Sequence, residues 1–84
     1  MRKMVISIDF CGPQRVVTRT ESINMPISER TRVTDAFEYV RHHYPDLPLD
    51  EEMVLVTVNQ KTASRDRVLQ ANDSVSFIPP IAGG

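Results

Sequence analysis

One stretch, VTDAFEYVRHHYP, limits the fold more than any other. Val33, Ala36, Phe37, Val40 and Tyr44 recur at helical spacing and form one apolar stripe, and Pro45 stops the run. Thr31 or Thr34 is placed to cap its start, and Asp35 suits the positive end of the helix dipole. A lone amphipathic helix must bury its stripe against something. The segments around it read as strands, so the expected fold is α+β: a single sheet with this helix across one face.

The strands are read from alternation. In MVISIDF, Met4, Ile6, Ile8 and Phe10 share one face, while Val5, Ser7 and Asp9 take the other. CGPQ then reads as a turn, because Gly12 tolerates positive φ and Pro13 fixes its own. RVVTRTESINM is rich in β-branched residues and reads as the returning strand of a direct hairpin, which Pro26 ends or weakens. PDLPLDEE is a rigid acidic connector. MVLVTVN is a nearly continuous apolar run, expected as a central strand buried on both faces. A short edge strand is expected near Thr62–Ser64, followed by a loop that Leu69 anchors. Asn72 suits a left-handed turn residue. SVSFI is the last strand, with Val75 and Phe77 on one face and Ser76 and Ile78 on the other. The order is β-β-α-β-(β)-β, with the first and last strands expected to be parallel, adjacent and central.

The totals exclude several classes of function. The chain has 84 residues, enough for one small domain, and a formal net charge of −1, which gives no basic field for nucleic acid. Arg30, Arg32, Arg65 and Arg67 are too few for a phosphate-tracking stripe. Cys11 is the one cysteine, so no disulfide framework exists and a reducing compartment is favoured. No apolar run is long enough to span a membrane. MRKMVISIDF alternates as a strand does and is not a signal peptide, so the cytoplasm is the expected location. His42 and His43 point about 100° apart on a helix and do not pair on a metal. Cys11 reads as incidental, and Asp46, Asp50, Glu51 and Glu52 read as a solvated acidic loop. No phosphate-binding loop or dinucleotide fingerprint occurs, so no cofactor is expected to bind this chain.

The sequence finishes FIPPIAGG. Pro79 and Pro80 lock φ and remove two donors, so they end the last strand and stiffen the base of the tail. Gly83 and Gly84 make the tip as thin as a polypeptide can be. The expected division is a domain over 1–78 and an extended arm over 79–84. NDSVSFIPPIAGG resembles the end of the MoaD/ThiS sulfur-carrier family, especially the small subunit of molybdopterin synthase. VTVNQ, Leu69 and Asp73 fall in the family's order, and VTDAFEYVRHHYP resembles its helix. That family has the ubiquitin-like β-grasp fold. The resemblance departs at the first strand. The molybdopterin subunit follows it with a short helical segment, whereas CGPQRVVTRTES reads as the direct turn common in the thiamine carrier.

The resemblance implies a carrier and not an enzyme. The carboxylate of Gly84 would be adenylated with ATP by an adenylyltransferase resembling ubiquitin-activating enzymes, of the MoeB/ThiF type. A sulfur donor of the cysteine desulfurase or rhodanese type would then yield a thiocarboxylate. Gly83, Ala82, Ile81, Pro80 and Pro79 would form the arm that delivers it to the molybdopterin synthase large subunit or another sulfur-accepting enzyme. Ile78 and Phe10 fall at or beside family docking positions, and Thr62 stands where the family presents an apolar contact. Alternation places Phe10 in the core as readily. Three alternatives share the pattern: a thiamine-type carrier, a ubiquitin-like modifier that joins Gly84 to lysines, and an inert interaction module.

Overall fold

The computed structural model describes residues 4–50 and 52–79. It contains β1 (Val5–Asp9), α1 (Gln14–Thr18), β2 (Ser22–Pro26), α2 (Val33–His43), β3 (Leu55–Val58), β4 (Lys61–Thr62) and β5 (Ser74–Ile78). The five strands make one sheet in the order β2-β1-β5-β3-β4. β1 and β5 are parallel, with Ile8 opposite Val75, and every other pairing is antiparallel. The helix covers one face of this sheet, as a lone stripe requires. Val33, Ala36, Phe37 and Val40 are buried against Ile6, Ile8, Val56, Val58, Val75 and Phe77. The Phe37 and Phe77 rings lie 4.4 Å apart at the centre of that layer.

Four expectations are corrected. The direct hairpin is absent, because α1 stands between β1 and β2. Gly12 takes φ 44°, and the chain then winds through bonds from the Gln14, Arg15 and Val16 amides to the Cys11, Gly12 and Pro13 carbonyls. Arg19, left-handed at φ 59°, ends the helix by donating to the Arg15 carbonyl. The inward side of α1 is Gln14 and Thr18, two polar residues, so no apolar stripe announced it. Instead Val16 and Val17 read as strand residues and face outward.

β3 is not buried on both faces. Val56 and Val58 are buried, whereas Leu55 is 48% exposed, because the sheet has a helical layer on one side only. The central position belongs to β5. Neither threonine caps α2. Thr31 Oγ1 accepts from the Ser28 amide and Thr34 Oγ1 donates to the Arg65 carbonyl. Asp35 closes the first turn, its carboxylate accepting the Arg32 N–H at 2.8 Å. Finally, the short edge strand is Lys61–Thr62, slightly earlier than expected, and comes after a two-residue turn in which Asn59 (φ 54°) and Gln60 (φ 70°) are both left-handed.

The approach to β5 is fixed by Asp73. One carboxylate oxygen accepts from Asn59 Nδ2 at 2.9 Å and the other from the Gln70 amide at 2.8 Å, while Asn59 Oδ1 accepts the Ser74 amide. Asn72 takes φ 71° and donates to the Val5 carbonyl, and Ser7 donates to that of Asp73. Leu69, fully buried, anchors the preceding loop. These bonds set the β5 register, and with it the direction in which the chain leaves the sheet.

Candidate functional site: the exit of the central strand

β5 ends at Ile78, and its side chains alternate as the sequence implies. Val75 and Phe77 are buried, and Ile78 is 38% exposed on the outer face. Ile78 stands opposite Leu55 in the β3–β5 register, so the two form an apolar pair at the strand's exit. Met53, also exposed, precedes Leu55 at the same end. Further along the outer face the row Thr62–Thr57–Ser76–Asp9–Ser22 crosses the sheet and is polar throughout. Thr62 is therefore on the face that Ile78 and Leu55 share, and it is exposed.

Phe10 is elsewhere. It is 1% exposed and meets Tyr44 edge-on at 5.6 Å, inside the core. The docking role that family position suggests for Phe10 is corrected: its ring fills the space between β1 and the end of α2, and alternation with Ile6 and Ile8 decides its side.

The strand exit is clamped by a residue that sequence reasoning missed. Gln14, buried on α1, donates from Nε2 to the Phe77 carbonyl at 2.8 Å and accepts the Cys11 amide on Oε1 at 2.9 Å. One side chain thus ties the short helix to the last inward residue of β5. Arg15 adds a bond from Nε to the Phe10 carbonyl. No local pattern signals such a contact, which spans 63 positions of sequence. Pro79, the next residue out, lines a groove with Pro13, Gln14, Val17, Leu47 and Pro48. The arm residues Pro80, Ile81, Ala82, Gly83 and Gly84 lie outside the described residues, as does Glu51 of the acidic connector.

The remaining candidates do not converge. Cys11 is a free thiol at the start of the turn. His43 packs against Tyr39 at 4.2 Å between ring centroids, with Nδ1 2.8 Å from the Tyr39 carbonyl. Its neighbour His42 meets it only ring to ring. Among the described residues no three His, Cys, Asp or Glu side chains are grouped to hold a metal, and no helix is long and apolar enough to cross a membrane.

A mixed five-stranded sheet on one main helix, with β1 and β5 parallel and β5 central, defines the class of ubiquitin-like β-grasp proteins. The chain belongs to the ThiS family within that class, whose model matches residues 8–84. It is 34% identical over 64 residues to a molybdopterin synthase sulfur carrier subunit of Dictyostelium discoideum, covering 74% of this chain and 73% of that one. The fold is shared with the small archaeal modifier protein 1 of Methanosarcina acetivorans, at 17% identity, full coverage of both chains and a TM-score of 0.78. It is shared too with a chain in the complex of subunits 1 and 2 of the molybdopterin-converting factor of Helicobacter pylori. That match has 17% identity, covers 96% of this chain and all of that one, and has a TM-score of 0.64.

Proposed function

We propose that this chain is a sulfur carrier of molybdenum cofactor biosynthesis, acting as the small subunit of a molybdopterin synthase. The observation that carries the reading is the family match through residue 84, across the Pro-Pro-x-x-Gly-Gly arm beyond a firmly held central strand. The 34% identical relative bears the name of that subunit. α1 removes the one departure noted at the first strand, since a short helix stands where the molybdopterin subunit has one.

The chemistry assigns Gly84 the working group. A carboxylate is a poor acyl electrophile, because its charge repels nucleophiles and oxide leaves badly. Transfer of AMP from ATP forms an acyl-adenylate and releases pyrophosphate. The outer sulfur of the donor's persulfide then displaces AMP to form an acyl disulfide, and a partner thiol attacks the donor's sulfur, forming a disulfide between the partner proteins and releasing the thiocarboxylate. ATP binds the adenylyltransferase, and the acids and bases of each step reside in the partners, so the carrier is not itself an enzyme. Pro79 and Pro80, whose rings restrict φ, form the base of the arm in this reading, and Gly83, without a side chain, gives clearance at its tip. Ile78 with Leu55 forms the docking contact beside the arm, and Thr62 lies at its margin. The lone thiol fits a reducing compartment such as the cytoplasm.

Intact mass after incubation with ATP, a sulfur donor and candidate adenylyltransferases tests the reading. Replacement of one oxygen by sulfur at Gly84 is expected. Ladders of conjugated proteins in place of the thiocarboxylate would mark a modifier, and an unchanged mass with every candidate would overturn both.

A further inference from the structure

The exit of β5 carries a second apolar surface, which docking through Ile78 does not use. Val16 is 78% exposed and Val17 39% exposed, on a helix whose inward side is polar. Val17 walls the groove completed by Pro13, Gln14, Leu47, Pro48 and Pro79. Leu47 and Gln14 are buried, and Gln14 is fixed at both ends of its amide, so this groove has a firm floor. Of the large apolar side chains exposed among the described residues, Val16, Val17, Met53, Leu55 and Ile78 all lie at this end. Val68, beside Arg32 at the start of α2, lies at the other. The chain leaves the sheet between the two surfaces, with Ile78 turned to the outer face and Pro79 to the groove.

We infer that the groove is a second docking site for the adenylyltransferase that takes the arm, and that it receives one apolar side chain presented beside that enzyme's channel. This inference rests on the carrier reading above. Pro79 is the base of the arm that the adenylyltransferase draws in, and it is also a wall of the groove. The groove therefore lies within the enzyme's footprint, and apolar surface there gains most when the partner fills it with a side chain of like chemistry. Exposed valines on α1, which the core does not use, extend the same footprint.

The test is ATP–pyrophosphate exchange by the adenylyltransferase of the same genome, titrated with the full-length carrier. Val17→Glu is expected to raise the KM for carrier about tenfold or more with kcat unchanged. Val17→Met should keep wild-type KM, and Val68→Glu, at the opposite end, should do the same. Melting curves check folding, and Val16→Glu substitutes if Val17→Glu fails to fold. An unchanged KM in the glutamate variant overturns the inference while leaving the carrier reading intact. A lowered KM also overturns it, because it shows that the carrier's own arm had occupied the groove. A wild-type dimer in sedimentation that Val17→Glu dissolves assigns the groove to a second copy and overturns it too. No exchange with wild-type carrier sinks the carrier reading, and the inference falls with it.

Discussion

Phe10, Ile78 and Gln14 show how differently single residues reveal their roles. Phe10 and Ile78 are both apolar and both fall near docking positions of the family, yet one is sealed against Tyr44 and the other faces outward beside Leu55. Phe10→Ala is expected to cost about 3–5 kcal/mol in urea unfolding, the loss typical of a buried ring. Ile78→Lys should cost no more than about 1 kcal/mol, as for a surface change, yet weaken binding of the synthase large subunit in a calorimetric titration. A large fall in melting temperature for Ile78→Lys would show that its side chain is needed by the core. Gln14 gives no such hint in the sequence. Its amide satisfies a buried carbonyl and a backbone N–H together, so Gln14→Ala should destabilise the domain by about 1–3 kcal/mol. Amide exchange should quicken at Cys11 and along α1 before it does in the rest of the sheet.

At the level of elements, periodicity was decisive where one face is apolar and misleading where it is not. α2 and β5 match their stripes closely, and β1 matches its alternation. α1 does not, because it turns Gln14 and Thr18 inward and leaves Val16 and Val17 in water, the reverse of an amphipathic helix. β3 reads as doubly buried because its outward Leu55 serves an exposed patch and not a second layer. The β3–β4 turn needs two left-handed residues, and its second is a glutamine. Gln60→Gly removes the Cβ penalty there and is expected to stabilise the hairpin by about 1 kcal/mol. A rise of several degrees in melting temperature would register it. A fall would mean that the glutamine side chain makes a contact worth more than the backbone strain.

Across the whole molecule, the sheet order places both termini of β5 under separate control. Asp73 and Asn59 set where the strand begins, and Gln14 holds where it ends. In the proposed function the domain over 1–78 serves as the handle and 79–84 as the arm. Deleting Gly84 should leave the melting temperature unchanged, since the last strand ends at Ile78, and abolish thiocarboxylate formation measured by intact mass. Sulfur transfer surviving that deletion would remove Gly84 from the mechanism.

The sequence by itself determined the main helix, the faces of the first and last strands, and the family. Those features are written locally, in apolar spacing and in a run of prolines and glycines. Tertiary structure alone decided α1 and the groove beside Pro79. Each depends on a contact between residues far apart in the chain, above all Gln14 with Phe77, and no local pattern encodes a partner that only folding brings near.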